Sequence, residues 1–299
     1  MSAGATIADP LAAVGRQRRV GAVASKDGTV IGFHQLGHGP GLVILHGAVE
    51  SALSHLQLAE ALADAFTVYL PDRRGRGMSG PYGSDYTVRK DVEDVDALLQ
   101  RTDAHYVFGV SSGALIWLEA ARTLPAIHKA AIFEPPLNVN GSVSTAFLPR
   151  YDAEIAAGDT AAALVTGMKA AQMGPPMFNV MPRWLLEQLT RMMMSSEDKR
   201  ALADDVTMRK LAPTLHYDFQ LVIEMGQALE SFREIQTDVL LLGGTRSPAY
   251  LTVALDALER VVPHVQRIEL AGLGHGASGN TNRGGKPGVV AQQLRRFFA

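Results

Sequence analysis

Cysteine is absent from this chain, which excludes disulfides, a thiol nucleophile and every thiolate metal site. Charge of one sign is missing too: 28 basic residues face 30 acidic ones, for a formal net charge of -2. There is no basic surplus to suit nucleic acid, and none of the strong acidity of a disordered, solvating chain. No run approaches the roughly 18 uninterrupted apolar residues of a membrane span. The histidines are scattered without an HExxH pattern, and neither an internal repeat nor a low-complexity tract is present. At the amino end, Arg16, Arg18 and Arg19 follow a short Ala/Leu stretch instead of preceding it. That order is opposite to a secretory signal, so cytoplasmic residence is the expectation.

What is present fits a soluble globular enzyme: 299 residues, 47% hydrophobic and 19% charged, long enough for one large core with an insertion. Residues 1–19 read as a flexible arm. Two alternating stretches flank Lys26-Asp27-Gly28-Thr29 and predict a hairpin, since Asp-Gly supplies the positive φ of a tight reversal. Gly41-Leu42-Val43-Ile44-Leu45 is apolar on both faces, as a central buried strand requires. Strand and helix signals then alternate: helix 53–65, strand 67–70, helix 87–101, strand 105–110, helix 112–123 and strand 128–133. After Pro135-Pro136 the rhythm stops. Residues 137–212 carry helical patterns, many of the methionines and no convincing strand. A helix over 215–233, strand 239–242, helix 248–261, strand 266–270 and a last helix 287–298 resume it. Such βαβ units predict an α/β protein with a mostly parallel central sheet and helices on both faces. Residues 20–136 and 213–299 form the expected core, and 137–212 an inserted helical cap.

Catalytic groups in such sheets sit beyond the carboxyl ends of the strands. Gly109-Val110-Ser111-Ser112-Gly113 joins an apolar strand to a helix, the context of a nucleophile elbow, and makes Ser111 the candidate nucleophile. Side chains at the flanking glycines would collide with neighbouring backbone. The residues following the other strands are His46-Gly47-Ala48-Val49, the Asp72 to Gly80 segment, Glu134, Gly244-Thr245-Arg246-Ser247-Pro248, and Gly274-His275-Gly276. This ordered set resembles the α/β-hydrolase superfamily from about residue 20 onward.

The resemblance implies that His275 is the base for Ser111, that the backbone N–H groups of Ala48 and Ser112 form the oxyanion hole, and that His46 braces the His-Gly turn. Many family members place an Asp in the loop after the strand matching 239–242, and here that loop has no carboxylate. A minority, including haloalkane dehalogenases and fungal zearalenone lactonases, carry a Glu at a place comparable to Glu134, so Glu134 is expected to orient His275. The Asp72 to Gly80 turn is read as structural, its arginines paired within the turn.

Methionine adapts to varied apolar shapes, so Met168 and Met177 of the cap, with Trp184 and with Tyr217 of the following helix, are candidate contacts for an apolar small-molecule substrate. The implied reaction is cofactor-free hydrolysis of a carboxylic ester or lactone through an acyl-enzyme, without nucleic-acid or membrane partners. The alternatives are a C–C bond hydrolase using the same residues and a hydrolase-derived receptor of a small ligand. An epoxide hydrolase or dehalogenase is disfavoured, because those families place Asp where Ser111 stands.

Overall fold

The computed structural model describes residues 18–174, 177–201 and 205–299; of the expected arm, residues 1–17 lie outside them. Strands β1 (Arg19–Ala24) and β2 (Val30–Gly37) form the expected antiparallel hairpin, with Gly28 at φ 84° in the turn. Strand β3 (Gly41–Leu45) is followed by a 3₁₀ turn (Ala52–His55), helix α1 (Leu56–Leu62), β4 (Thr67–Pro71), α2 (Val88–Thr102), β5 (Tyr106–Val110), α3 (Ser112–Thr123) and β6 (Lys129–Phe133). Next come α4 (Leu148–Ala156), α5 (Thr160–Ala170), α6 (Met177–Val180), α7 (Arg183–Arg200), α8 (Met208–Leu211) and α9 (Leu215–Glu224). Strand β7 (Asp238–Gly244), α10 (Ala249–Val261), β8 (Val265–Leu270) and α11 (Pro287–Phe298) complete the chain.

The eight strands make one sheet in the order β1-β2-β4-β3-β5-β6-β7-β8. Only the β1/β2 and β2/β4 pairs are antiparallel. Because side chains alternate along a strand, each apolar run feeds two cores. Val43, Leu45, Val107, Ile132 and Leu241 face the cluster that takes in α2, α3 and α10, whereas Leu42, Ile44, Phe108, Phe133 and Leu242 face α1 and α11. Each such buried side chain stabilises the fold by about 1.5–3 kcal/mol. The chain order reverses between β3 and β5, so the carboxyl ends of these strands open onto the switch point where ligands bind in α/β sheets.

Between β6 and β7 the described residues form helices and no strand. Tyr151 and Ala163 of this segment belong to the same apolar cluster as the sheet, and the Tyr250 hydroxyl donates to the Ala171 carbonyl at 3.2 Å. One expectation is corrected. The single helix over 215–233 ends at Glu224 and continues as two 3₁₀ turns, Met225–Gln227 and Leu229–Glu234. Gly226 falls inside the predicted helix, where it disfavours the α conformation by about 1 kcal/mol relative to alanine.

Candidate active site

Ser111 stands between β5 and α3 with φ 56° and ψ -126°, a conformation that non-glycine residues rarely adopt. Its neighbours permit no bulk. A Cβ on Gly109 would lie 2.5 Å from Trp117, and one on Gly113 would lie 2.5 Å from the His46 carbonyl oxygen. The glycines two residues either side of the serine thus let the turn close against α3 and the His46-Gly47 segment. The Ser111 N–H donates to the Phe133 carbonyl at 2.9 Å, which ties the turn to the end of β6.

Glu134 is the next residue on that strand end, buried and at φ 46°. Its carboxylate accepts two hydrogen bonds: Oε2 from His275 Nδ1 at 2.7 Å and Oε1 from the Gly244 N–H at 2.6 Å. The segment 244–248 after β7 contains no carboxylate and meets Glu134 through the Gly244 backbone N–H. The structure brings His275 and Glu134 into direct contact and ties Ser111 to the residue before Glu134.

The His46-Gly47 turn packs beside the serine, close enough that a Cβ on Gly47 would sit 2.9 Å from the Ser111 Cβ. His46 accepts the Arg73 N–H at Nε2 (3.2 Å) and so donates from Nδ1 to the Gly47 carbonyl (3.0 Å). Burial, reinforced by the Arg76 and Arg73 cations, holds its pKa well below the ordinary histidine range and keeps the ring neutral. The Gly47 N–H donates to Glu50 Oε2 at 2.8 Å. Val49 closes the turn at φ 53°, a third strained non-glycine residue at this site.

Several groups here escaped the sequence reading. His55 is buried with Nε2 against Glu50 Oε2 and Nδ1 against the Ser278 carbonyl, both at 3.0 Å. Both ring nitrogens of His55 thus face an oxygen acceptor. Burial alone would raise the Glu50 pKa, but His55, Arg283 and the Gly47 N–H outweigh it and hold the carboxyl well below its ordinary range. The His55–Glu50 pair joins the Gly47 turn to the His275 loop.

The expected pairing within the Asp72 to Gly80 turn is corrected. Asp72 accepts the backbone N–H groups of Ala52 (2.8 Å) and Met78 (3.0 Å), so the turn amides occupy its carboxylate. The arginines reach outward: Arg74 to Asp94 and Asp27, and Arg73 and Arg76 to Asp218 of α9. The sequence signal for this network was Asp218 itself, set beside Phe219, Leu221 and Val222 in α9.

Of the expected substrate contacts, Tyr217 is half-buried and stacks on Tyr82 with centroids 3.6 Å apart. Met168 is half-buried near Gly174. Met177 and Trp184 are 59% and 68% exposed, carried outward by α6 and the first turn of α7, which gives a lining role no support. Among the described residues, no group of three or more His, Asp or Glu side chains is placed to hold a metal ion, and no helix is long and apolar enough to cross a membrane.

This sheet, with a strained serine turn after β5, a carboxylate after the adjacent β6 and a histidine in the loop after β8, is the architecture of an α/β hydrolase. The chain belongs to the alpha/beta hydrolase family, whose model matches residues 42–284. It is similar over its length to an alpha/beta hydrolase from Sphaerobacter thermophilus DSM 20745, with 30% identity, a TM-score of 0.75 and coverage of 93% of this chain and 100% of that one. A pimeloyl-[acyl-carrier protein] methyl ester esterase from Xanthomonas axonopodis pv. citri (strain 306) is 24% identical over 267 residues, 88% of this chain and 97% of the relative. An esterase from Rhodococcus sp. ECU1013 shares the fold, with 20% identity, a TM-score of 0.63 and coverage of 93% of this chain and 98% of that one.

Proposed function

We propose that the protein is a serine hydrolase of carboxylic esters or lactones of apolar small molecules. The observation that carries this reading is the Glu134 carboxylate bridging His275 Nδ1 and the Gly244 N–H, one residue beyond the strand end to which the Ser111 turn is bonded. With Nδ1 donating to Glu134, the His275 Nε2 lone pair is the base. It takes the Ser111 hydroxyl proton as Oγ bonds to the substrate carbonyl carbon, while the N–H groups of Ala48 and Ser112 hold the resulting oxyanion. Collapse of that intermediate breaks the bond to the leaving alkoxide, which takes the proton from His275. Water, deprotonated by the same nitrogen, then attacks the acyl-enzyme, and collapse breaks the bond to Ser111 Oγ, which recovers the proton from His275 as the acid leaves.

The names of two similar proteins, both esterases, support ester chemistry. In this reading residues 137–212 cap a core of 20–136 and 213–299, and Met168 and Tyr217 contact the substrate. Labelling by a fluorophosphonate, lost in Ser111→Ala, tests the nucleophile. A panel of p-nitrophenyl esters of increasing chain length, with ring lactones, tests the substrate class. Labelling together with inactivity across the whole panel would favour a C–C bond hydrolase or a receptor instead.

A further inference from the structure

Behind the Gly47 turn lie two buried arginines held by one carboxylate from a helix distant in sequence. Arg76 donates from Nη1 to the Gly47 carbonyl at 2.8 Å and to the Glu50 carbonyl at 3.2 Å, and from Nη2 to Asp218 Oδ2 at 2.7 Å. Arg73 Nη1 donates to Asp218 Oδ1 at 2.8 Å and to Ser112 Oγ at 2.9 Å, and Ser112 Oγ donates in turn to Asp218 Oδ1 at 2.8 Å. Asp91 lies 3.7 Å from Arg73, beyond hydrogen-bond distance. All four side chains of the inner network, Arg73, Arg76, Ser112 and Asp218, are buried.

The Gly47 carbonyl and the Ala48 N–H belong to the same peptide group. A cation bonded to that carbonyl draws electron density from it and makes the N–H a stronger donor, a cooperative gain of about 10–30% per bond. The Glu50 carboxylate on the Gly47 N–H holds the preceding peptide, so the orientation of the turn is set from both sides. We propose that Arg76, anchored by Asp218, is a positioning residue that aims and polarises the Ala48 N–H toward the oxyanion of the transition state. This rests on the reading of Ser111 as nucleophile and Ala48 as oxyanion donor. A neutral ester carbonyl gains less from a strengthened donor than a developing oxyanion does, so the effect falls on kcat and not on KM.

The test uses the full chain with Arg76→Gln, Arg76→Lys, Asp218→Asn and the double Arg76→Gln/Asp218→Asn. Each is checked for folding by circular dichroism, then assayed for fluorophosphonate labelling rate and for kcat and KM on a p-nitrophenyl ester. Arg76→Gln is expected to slow labelling and kcat about tenfold or more, with KM changed less than about twofold. Arg76→Lys should fall between it and the native protein, because one ammonium cannot span both the carbonyl and Asp218 as a planar fork does. The double variant also takes from Arg73 its hydrogen-bonded carboxylate, so it should be no more stable than Arg76→Gln and should not regain rate. Native rates in any folded variant lacking Arg76, a loss confined to KM, or full recovery in the double variant would each overturn the proposal. Should Arg76→Gln not fold, Arg76→Lys, which keeps the buried charge, supplies the rate comparison. Labelling that persists in Ser111→Ala would defeat the parent reading instead. Labelling lost in Ser111→Ala but native in the Arg76 variants defeats this inference alone.

Discussion

Glu134 uses both carboxylate oxygens, one to fix His275 and one to hold the Gly244 loop. Glu134→Gln turns one of those acceptors into a donor. If the amide nitrogen faces Nδ1, the ring must move its proton to Nε2, the nitrogen that is to act as base. The expected result is a fall in kcat of about 10²–10⁴-fold with KM little changed, read by steady-state kinetics on a variant shown to be folded. Unchanged turnover would remove Glu134 from the triad. His46 carries a second prediction. Its folded pKa lies well below 6.5, so below pH 6.5 the unfolded chain binds a proton that the folded chain does not. Stability therefore falls as pH drops from about 6.5 toward the folded pKa, by up to about 1.4 kcal/mol per pH unit from this group. Urea unfolding between pH 7 and pH 5 should show this slope, and His46→Gln, which keeps an acceptor for the Arg73 N–H, should flatten it.

Among the elements, the turn after β3 and the loop after β8 depend on one another through His55. Replacing His55 by Phe removes the ring nitrogens that meet the Glu50 carboxylate and the Ser278 carbonyl. A destabilisation of about 2–3 kcal/mol follows, measurable by chemical denaturation. Because the pair joins the Gly47-Ala48 turn to the His275 loop, which the proposed mechanism uses together, kcat should fall as well. A variant of native stability would show that the pair is dispensable. Within the turn itself, Ala48→Pro removes the N–H while Ala48→Ser keeps it. The first should lose about 10²–10³-fold in ester turnover and the second little. Ester turnover intact in a folded Ala48→Pro protein would reject Ala48 as an oxyanion donor.

For the molecule as a whole, the inserted helices share a hydrophobic cluster with the sheet, with Tyr151 fully buried in it. Insert and sheet should accordingly melt together. Tyr151→Ala should lower stability by about 3–5 kcal/mol and still give one calorimetric transition. Two separated transitions would mean that the insert folds by itself. The alternation of strands and helices and the strand-turn-helix setting of Ser111 were legible because they rest on local signals: side-chain periodicity and glycines at fixed offsets from Ser111. The pairing of Glu134 with His275 was expected from the family resemblance, joined to the lack of an acid in the loop at 244–248, and the two side chains are in contact. The Met177 and Trp184 expectation had no such support, since composition records that a helix is apolar but not what covers it.

The amino-acid sequence by itself determined the alternating strands and helices, the strained serine turn, and the order of Ser111, Glu134 and His275. Each follows from short-range sterics and side-chain periodicity, which act between residues close in the chain. Tertiary structure alone decided that Asp218 faces Arg73 and Arg76, that His55 spans Glu50 and Ser278, and that Asp72 serves backbone amides instead of its neighbouring arginines. The contacts of Asp218 with Arg73 and Arg76 and of His55 with Ser278 join residues more than 100 positions apart in sequence. In a buried site an unpaired charge is costly, so each partner was chosen by which groups the packed core left within reach.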